Sequence, residues 1–539
     1  MKEKESSPNY TAAELDELFR SGALERLGMG SRRVCFKIPN KKLCVKCYRS
    51  DDEIKEGKYD GAKALAASVV REITKARFDE KRNTSCQEYR YWKKLKEKLP
   101  PEVFAVFPQK MECVLVPARG WCLIEERLEN FDGSAPEDFK SAYFAADDKG
   151  KKRLLSAFLR LIESFCVYAV RFYDPQNLLV QRTSNEDFVL RIVDFEPASR
   201  SFLPIDSILP PLVRRKTMRR ARRWLKMQLG VEMPRVAEPL DNQNPISMSF
   251  SVSDNYSQHL AVVLASILEN NPESDFVFHV LHRNITDENQ KRIHELEQVY
   301  FNCEIRFHAV DNSLFENLTI PKELEHITKE TYFRYILADI LSEEKRTIYS
   351  DVDVLCVGDL RPLWNVDLKG CVIGAVSEGL DGEYKKKLLG LIGDAPYFNA
   401  GMLVMDLDVM RAESSSFRLM KNTVEYASRI AWADQDIINI TFRNRILELE
   451  NIWNCFTRVA GKVKKRVVIH HFANASQKPW CNIWKNTTWP IYLKYLRKSP
   501  YCDNAWRFVL GHIKGFFFFK YTKKQVTRYL VCGIRVWRR

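Results

Sequence analysis

Two carboxylates stand one residue apart in the sequence Ser350-Asp351-Val352-Asp353. They follow a short run at 346–349 that is typical of a β-strand, and strand alternation directs Asp351 and Asp353 to the same side. Two convergent carboxylates repel each other unless a cation lies between them, and hard oxygen ligands suit Mg²⁺ or Mn²⁺. A bound diphosphate would complete the shell of that cation. A solvated acidic turn has the same spacing, so the pair alone leaves both interpretations open.

The elements that must position this pair alternate between strand and helix. Apolar runs predict strands at 246–252, 276–281 and 304–310, and amphipathic patterns predict helices at 258–269 and 287–300 between them. This alternation predicts a mainly parallel sheet with helices on both faces, in which ligands bind beyond the carboxyl ends of the strands. Motifs that follow strands therefore matter most.

Further motifs occur in order on both sides of the acidic pair. They are Asp254-Asn255-Tyr256, His326 eight residues before Arg334, Tyr397-Phe398-Asn399-Ala400-Gly401, Asp434-Gln435-Asp436, and His471 before Lys478-Pro479-Trp480. With this set, the segment from about 246 to 480 resembles glycosyltransferase family 8, the retaining nucleotide-sugar enzymes that include lipopolysaccharide core glucosyl- and galactosyltransferases. The resemblance implies an α/β fold of the GT-A type, with a Rossmann-like, mostly parallel sheet.

The resemblance also implies donor and metal ligands. The residues implied for the uracil and ribose of a UDP-sugar are Asp254, Asn255 and Tyr256, the last by stacking. His326 belongs to the same substrate-binding set, and Arg334 would hold the phosphate or sugar as a fixed-charge fork. The residues implied for the metal are Asp351, Asp353 and His471. An imidazole beside carboxylates favours Mn²⁺ over Mg²⁺.

A last group would surround the transferred sugar: Asn399, Ala400, Asp434 and Gln435. By the resemblance, Asp434 would bind hydroxyls, Gln435 would lie on the face open to nucleophilic attack, and Lys478 would add positive charge to the departing diphosphate. These three form the expected catalytic set. Because glutamine is a feeble nucleophile, we expect the acceptor to enter on the face of the leaving diphosphate, through an oxocarbenium-like state and with retention.

Two positions depart from the family pattern. Ser253 stands where members usually carry another Asp, which predicts a weaker contact to the uracil. The segment between His471 and Lys478 lacks the usual Gly and is one residue longer, although Asn474 can adopt a left-handed conformation. His470 is therefore an alternative metal ligand.

The first half carries motifs in the order of a protein kinase. They are Gly28-Met29-Gly30-Ser31-Arg32-Arg33-Val34, Lys46 in a strand-like run, Glu88 on a helical stretch where it could pair with Lys46, a hinge-like segment at 123–126, Asp174-Pro175-Gln176-Asn177, and Val193-Asp194-Phe195-Glu196. As a set, roughly residues 18–205 resemble the YrbL-type kinase-like family, named for a PhoP-regulated bacterial protein. The resemblance implies an α+β domain in which ATP and Mg²⁺ would be held by Lys46, Glu88, Asn177 and Asp194.

The catalytic base decides whether this domain is active. Kinases place the base Asp five residues before the metal-binding Asn, a position held here by Phe172, whereas Asp174 is three residues before Asn177. Two interpretations stay open: a kinase for a sugar or lipid-sugar, and a nucleotide-binding pseudokinase that senses nucleotide and regulates the second half.

Length and composition bound the organisation. A chain of 539 residues with 45% hydrophobic residues excludes a single small module and a low-complexity protein. We predict a kinase-like domain at 1–237, a proline-bearing linker at 238–245, a glycosyltransferase domain at 246–500 and a basic, aromatic tail at 501–539. The 14 cysteines are expected to be reduced.

The net charge of +15 points to an anionic partner. Residues 214–226 include eight basic and no acidic residues, and residues 504–539 interleave nine basic residues with aromatics and also lack acidic ones. Anionic lipid would suit both segments, and the phosphorylated sugars of a glycolipid would suit the first; a solvated helix, or a helix packed on the catalytic domain, is the alternative. No nucleic-acid partner is expected, because no recognised reading module accompanies the charge.

The sequence shows neither a secretory pattern at 1–19 nor a run of eighteen apolar residues. We therefore expect a cytoplasmic protein at the surface of the inner membrane. The expected activity is metal-dependent transfer of a hexose from a UDP-sugar to a membrane glycolipid, such as lipopolysaccharide core. A protein acceptor is the alternative, and the choice of sugar depends on the shape of the pocket.

Overall fold

The structure is a computed structural model that describes residues 10–55, 67–170, 177–195, 210–239, 244–318, 320, 328–456, 467–473, 478–480, 489–517, 519–523, 526–531 and 534–538. The chain divides into two compact units, Met1–Met233 and Pro234–Arg539. The expectations for Asp174, His326 and Asn474 lie outside the described residues.

The main sheet of the first unit is antiparallel, with its described strands in the order β1-β2-β3-β5-β4. These strands are β1 Glu25–Met29, β2 Arg33–Lys37, β3 Leu43–Tyr48, β4 Met111–Val116 and β5 Gly120–Glu126. A smaller sheet contains β6 Glu137–Asp138, β7 Leu178–Arg182 and β8 Phe188–Ile192. Every residue of β3 is buried, so Lys46 lies deep in the unit.

The described helices of the first unit are α1 Ala12–Arg20, α2 Asp51–Lys55, α3 Ala67–Ala76, α4 Thr84–Lys98, α5 Pro101–Phe104, α6 Phe139–Ala145, α7 Asp148–Val167 and α8 Pro210–Gln228. Helix α4 begins at Asn83, whose side chain accepts hydrogen bonds from two backbone N–H groups of the first turn. It carries Glu88, which is fully buried. Helix α8 packs on α7, where Trp224 stacks against Phe158 at 5.9 Å between ring centroids.

The main sheet of the second unit has the strand order β11-β10-β9-β12-β15-β14-β16 within the described residues. The strands are β9 Ile246–Val252, β10 Phe276–His282, β11 Cys303–Ala309, β12 Arg346–Ser350, β14 Ile373–Ser377, β15 Phe398–Asp406 and β16 Ile446–Leu449. Strand β15 is antiparallel to β12 and β14, and the other neighbours are parallel. The expected mostly parallel sheet is confirmed, with one reversed strand.

This order brings the motifs to one edge of the sheet. Strands β9 and β12 are parallel neighbours, so the chain leaves both of them, towards Tyr256 and Asp351, at the same edge. Strand β15 starts at that edge because it runs the other way, and the N–H of Asp351 donates to the carbonyl of Gly401 at 2.8 Å. A separate three-stranded sheet of β13 Val354–Cys356, β17 Cys455–Phe456 and β18 Ile469–His471 closes the same region.

The described helices of the second unit are α9 Ser257–Asn270, α10 Asp287–His294, α11 Leu337–Ile340, α12 Arg361–Trp364, α13 Leu380–Leu389, α14 Leu407–Ala412, α15 Ser415–Glu425, α16 Ala433–Thr441, α17 Trp489–Leu496 and α18 Asn504–Phe517. Short 3-10 helices span Asp254–Tyr256, Glu295–Gln298, Asn312–Phe315, Lys329–Ile336 and Asn451–Trp453. The helix expected at 287–300 thus ends early and tightens into a 3-10 turn, as helix ends often do.

The composition of the carboxy-terminal tail suggested a helix, but within its described residues only the first part of the tail is helical. Helix α18 covers its first part, and an antiparallel sheet of β19 Phe519–Lys523, β20 Val526–Val531 and β21 Ile534–Arg538 follows. Among the described residues, no helix combines the length and the apolar character that a membrane crossing requires.

Candidate active site

A cavity of about 810 Å³ opens at the edge of the sheet where β9 and β12 end. This volume is ample for a small-molecule ligand. The expected site residues that line it are Tyr256, Arg334, Asp351, Asp353, Asn399, Ala400, Asp434, Gln435, His471 and Lys478. Asp254 and Asn255 are not among the described residues that line it.

Three expected metal ligands converge on one side of the cavity. One ligand atom from each of Asp351, Asp353 and His471 lies within 4.8 Å of the other two. His471 reaches this place because β18 pairs with β13 next to the acidic motif. Its Nε2 atom lies 3.3 Å from Asp353 Oδ1, and Lys478 Nζ lies 3.1 Å from Asp353 Oδ2. The cluster contains His471 and not its neighbour His470.

The imidazole of His471 is oriented by Asn454. His471 Nδ1 lies 2.7 Å from Asn454 Oδ1, and Asn454 Nδ2 donates to Asn399 Oδ1 at 2.8 Å. The Asn399 oxygen is fixed in turn by the backbone N–H of Gly401 at 2.9 Å. Asn454 therefore presents its oxygen to His471, which places the ring proton on Nδ1 and leaves Nε2 directed at the carboxylates.

The electrostatics of the cluster favour a positive charge. Burial by itself lowers the pKa of His471, but the adjacent carboxylates, Asp353 first, raise it above its usual value. Burial likewise opposes ionisation of Asp353, yet His471 and Lys478 hold the pKa of Asp353 below its usual value. Asp353 thus stays ionised in a buried place, where it draws in cations.

Gly401 leaves the space in which a metal ion fits. A Cβ atom at this position would lie 2.4 Å from His471 Cε1 and 2.8 Å from Asp351 Oδ2. Two carboxylates and one imidazole are a donor set suited to Mn²⁺, and to Mg²⁺ with water or phosphate completing the shell. The residues present therefore fit the divalent ion that the sequence implies.

Arg334 is a buried cation between two carboxylates. It contacts Asp351 Oδ1 at 2.9 Å and Asp434 Oδ2 at 3.1 Å, donates to the carbonyl of Ala400, and lies over the Tyr349 ring. Burial raises the pKa of Asp434 to about 6 and nearby Asp351 adds to the rise, while Arg334 opposes both. Arg334 thus lines the cavity but is already engaged with protein groups.

Gln435 has a fixed amide orientation. The backbone N–H of Ala400 donates to Gln435 Oε1 at 3.1 Å, and Asn399 Nδ2 donates to the same oxygen at 2.9 Å. The Gln435 amide nitrogen donates to Glu378 Oε1 at 3.2 Å and to the Tyr397 hydroxyl at 3.1 Å. Its oxygen is therefore held by two donors, which makes it a poorer nucleophile still.

Two aromatic residues line the cavity near Lys478. Tyr256 and Trp480 have their ring centroids 6.4 Å apart, and Lys478 Nζ lies 5.7 Å from the Tyr256 centroid. Ser253 also lines the cavity. Asp254 instead accepts hydrogen bonds from Thr286 and Asn289 at the start of α10. These bonds lower the pKa of Asp254, and the bond from Asn289 has the largest effect. Asp254 thus fastens the loop after β9.

Comparison with protein-family models matches residues 247–483 to "Glycosyl transferase family 8". Over these residues the second unit is similar to family 8 glycosyltransferases. In the first unit, residues 23–229 match "PhoP regulatory network protein YrbL". The expected resemblances, the GT-A type α/β fold and the enzyme class, a family 8 hexosyltransferase, are thereby confirmed.

Curated relatives match the glycosyltransferase domain over most of their own length. General stress protein A of Bacillus subtilis is 27% identical over 264 residues, 45% of this chain and 90% of the relative. Lipopolysaccharide 1,3-galactosyltransferase of Salmonella typhimurium is 27% identical over 275 residues, 48% of this chain and 80% of the relative. Lipopolysaccharide glucosyltransferase WaaO of Escherichia coli is 24% identical over 277 residues, with the same two coverages, 48% and 80%. A solved structure of galactosyltransferase LgtC with donor and acceptor sugar analogs is 25% identical and covers 47% of this chain and 96% of LgtC, with a TM-score of 0.43.

The kinase-like unit contains a buried charge cluster around Lys46. Lys46 Nζ lies 2.7 Å from Asp194 Oδ1 and 2.6 Å from Glu125 Oε1. Glu88 does not form the pair with Lys46 that the kinase order suggested; it contacts Arg33 at 2.7 Å, and Arg33 also reaches Asp194 at 3.0 Å. Asn177 donates to the backbone carbonyl of Asp194 at 3.0 Å.

The hinge-like segment at 123–126 is part of strand β5, and its Glu125 faces Lys46 across the sheet. Burial raises the pKa of Glu125, and the charge of Lys46 opposes this. Burial also disfavours the charged form of Lys46, yet Asp194 and Glu125 raise the pKa of Lys46 well above its usual value. Lys46 therefore stays charged in the interior.

Sequence reasoning missed the residues that hold the active site together. Glu378 orients Gln435, Asn454 orients His471, and Thr331 donates to Asp434. Asp436, noted only as part of a motif, accepts from the N–H groups of Ala431 and Trp432 at 2.7 Å each and so fixes the start of α16. Thr331 lies within the motif at 326–334, but the sequence assigned it no role. Glu378 and Asn454 lie in no motif, because their roles depend on contacts with other elements.

Proposed function

We propose that the glycosyltransferase domain is a metal-dependent, retaining hexosyltransferase that moves a hexose from a UDP-sugar to a membrane glycolipid, such as lipopolysaccharide core. The observation that carries this proposal is the convergence of Asp351, Asp353 and His471 beside Lys478. Relatives named for lipopolysaccharide galactosyl and glucosyl transfer support the class of donor and acceptor. We place this reaction at the cytoplasmic face of the inner membrane.

In this proposal Asp351, Asp353 and His471 hold Mn²⁺, or Mg²⁺ in its place. The ion, when bound, supplies positive charge to the leaving diphosphate. Lys478 adds a second positive charge from the protein side, since its ammonium is partly buried and lies 3.1 Å from Asp353. Tyr256 offers a ring face to the uracil.

The sugar lies against Asp434, Asn399 and Gln435. The carboxylate of Asp434 binds hydroxyl groups, and Arg334 keeps it oriented. The acceptor oxygen attacks on the face that the diphosphate leaves, the bond from the anomeric carbon to the diphosphate oxygen breaks, and the leaving phosphate takes the proton of the acceptor hydroxyl. Retention follows because attack and departure share one face.

The first test is Mn²⁺-dependent hydrolysis of a panel of UDP-sugars by the purified chain. We expect slow release of one sugar, and its loss in Asp351→Asn/Asp353→Asn. Asp359→Asn is a matched control, because this aspartate lies in the same unit but does not line the cavity. If every donor is inert and calorimetry finds no Mn²⁺-dependent UDP binding, the proposal fails. If the chain hydrolyses a UDP-sugar but transfers its sugar to no glycolipid, a protein acceptor would be favoured.

We further propose a nucleotide site in the kinase-like domain, with ATP phosphates at Lys46 and Mg²⁺ at Asn177 and Asp194. The buried position of Lys46, charged and next to Asp194, supports this. We also propose the domain bounds that the sequence predicts: a kinase-like domain at 1–237, a linker at 238–245, a glycosyltransferase domain at 246–500 and a tail at 501–539.

Two outcomes separate a kinase from a sensor. ATP turnover lost in Asp174→Asn would indicate a kinase for a sugar or lipid-sugar. ATP binding that is lost in Lys46→Met, without turnover in the wild type, would indicate a regulatory pseudokinase. Absence of ATP binding in the wild type would reject both.

A further inference from the structure

Helix α8 (Pro210–Gln228) has two faces of different character. One side is buried in the unit, and its residues recur every fourth position: Val213, Thr217, Ala221 and Leu225. All eight cations of the helix are exposed, and five of them lie together on the side opposite the buried one: Arg215, Lys216, Arg219, Arg222 and Arg223. We call these five residues the basic face. Lys226 also lies on that side but pairs with Glu232.

The basic face is continuous, and the exposed Arg220 extends it on one side. At 100° per residue its five side chains fall within an arc of about 120°, opposite the buried side, and they span about 12 Å along the helix. The helix contains no acidic residue. Four of the five cations are arginines, whose planar guanidinium groups pair with phosphate oxygens through two parallel hydrogen bonds.

We propose that the basic face docks this protein on a bilayer surface that carries anionic phospholipid headgroups. The charge and the strip-like shape complement such a surface, and Met227, next to the strip and 65% exposed, adds an apolar side chain at the interface. The proposal deepens the proposed function and rests on it, since a glycolipid acceptor would lie in this membrane.

The same face lacks the residue types that read adenine or stack on bases, although arginine also contacts guanine. Residues 215–223 contain no Asn, Gln or aromatic residue to contact base edges or stack on bases. Trp224, the nearest aromatic residue, packs against Phe139 and Phe158 inside the unit. Non-specific binding to a duplex is therefore an outcome that the test must exclude.

The test is co-sedimentation of the full-length protein with vesicles of phosphatidylcholine containing phosphatidylglycerol. A basic residue near an anionic surface changes the partition coefficient about fivefold. We therefore expect Arg215→Gln/Arg219→Gln/Arg222→Gln to lower it by roughly a hundredfold at low salt. Added salt should weaken binding of the wild type much more than that of the variant.

The matched control is Lys94→Gln/Lys96→Gln/Lys98→Gln, which removes the same charge from exposed positions of α4 in the same unit. The control should keep most of the binding. Equal loss in both variants, no loss in the α8 variant, or stronger binding to duplex DNA than to vesicles at equal anion concentration would each overturn the proposal.

The vesicles contain neither donor nor acceptor, so docking and catalysis are measured separately. UDP-sugar hydrolysis in solution should be the same for wild type and the α8 variant. If the wild type sediments with anionic vesicles but hydrolyses no UDP-sugar, docking stands and the proposed function falls. If it hydrolyses a donor but does not sediment, the function stands and docking falls.

Discussion

Individual side chains in the active site are ordered by a chain of amides. The backbone N–H groups of Ala400 and Gly401 each donate to a side-chain oxygen, of Gln435 and Asn399 respectively. Because an N–H can only donate, these two contacts fix both amides and, through Asn399, the amide of Asn454. The metal side of the cavity is thereby connected to the sugar side.

Asn454→Ala should weaken metal binding without unfolding the domain. The substitution removes the acceptor that holds the Nδ1 proton of His471, so the ring can rotate or change tautomer. Loss of such a partner typically lowers metal affinity by about 10- to 100-fold. Titration calorimetry with Mn²⁺ measures this directly. Asn451→Ala changes an exposed asparagine three residues earlier, and this variant should bind Mn²⁺ as the wild type does. Equal affinities for wild type and Asn454→Ala would contradict the role of Asn454.

Gln435→Glu should not create a better nucleophile. The new carboxylate would keep the N–H of Ala400 on one oxygen and place the other against Glu378, about where the amide nitrogen now donates at 3.2 Å. Two carboxylates at that separation share a proton, so the variant stays protonated at neutral pH. We expect slower UDP-sugar hydrolysis and no glycosyl adduct at this residue by mass spectrometry.

The exchange Glu378→Gln/Gln435→Glu is the partner experiment. It restores one amide and one carboxylate, so thermal unfolding should recover part of the stability lost in Gln435→Glu. Faster hydrolysis or a trapped adduct in the single variant would instead show that Gln435 occupies the position of a nucleophile.

At the scale of elements, one side chain joins helix α16 to strand β15. Asn439 accepts from the N–H of Phe398 at 2.8 Å and donates to its carbonyl at 2.9 Å, as a neighbouring strand would. Asn439 also donates to the carbonyl of Gln435 at 2.8 Å. These three hydrogen bonds, which we call the Asn439 clamp, set the distance between the sugar-side residues on α16 and those on β15.

Asn439→Ala should destabilise the second unit. It leaves the buried N–H and carbonyl of Phe398 without these partners, a loss of about 2–4 kcal/mol in the free energy of unfolding. Urea denaturation followed by tryptophan fluorescence measures the change. Asn422→Ala, which removes a single bond to Thr441, should cost much less. Similar losses for both variants would show that the clamp adds nothing special.

The sequence predicted the elements around β9, β10 and β11 because their residues alternate in the periods of strands and helices. It could not show that β15 runs antiparallel, since a buried apolar run such as 398–406 has the same pattern in both directions. Motif residues such as Asp351 and His471 were found by their order in the chain. Asn439 and Asn454 were not found, because their roles depend on contacts between distant elements.

For the molecule as a whole, partly buried histidines make stability depend on pH. Burial lowers the pKa of His259 to about 4, with Lys478 adding to the effect, and burial lowers the pKa of His308 to about 4, with His279 adding to it. The unfolded chain protonates both near pH 6.5. As pH falls from about 6.5 towards 4, the unfolded state therefore takes up protons that the folded state refuses, and stability falls.

Between pH 7 and pH 5 we expect His259 to lower the free energy of unfolding of the second unit by on the order of 1 kcal/mol, whereas Asp434 and His471, whose pKa values are raised, act in the opposite direction. His259→Gln should remove this contribution of His259 to the free energy of unfolding. Urea titrations at the two pH values give the difference. Because His471 and Asp434 are the same in both proteins, an equal change in the free energy of unfolding between pH 7 and pH 5 for the wild type and His259→Gln would contradict the assignment to His259.

The pairing of β9 with β12 has a consequence for the kinetics of folding. Ser247 and Thr347 meet at 3.2 Å although 100 positions separate them. Closing so long a loop loses chain entropy before any contact forms, so this edge assembles late. The ligand cluster is then absent from the transition state, and a divalent ion should slow the rate of unfolding while leaving the rate of folding unchanged.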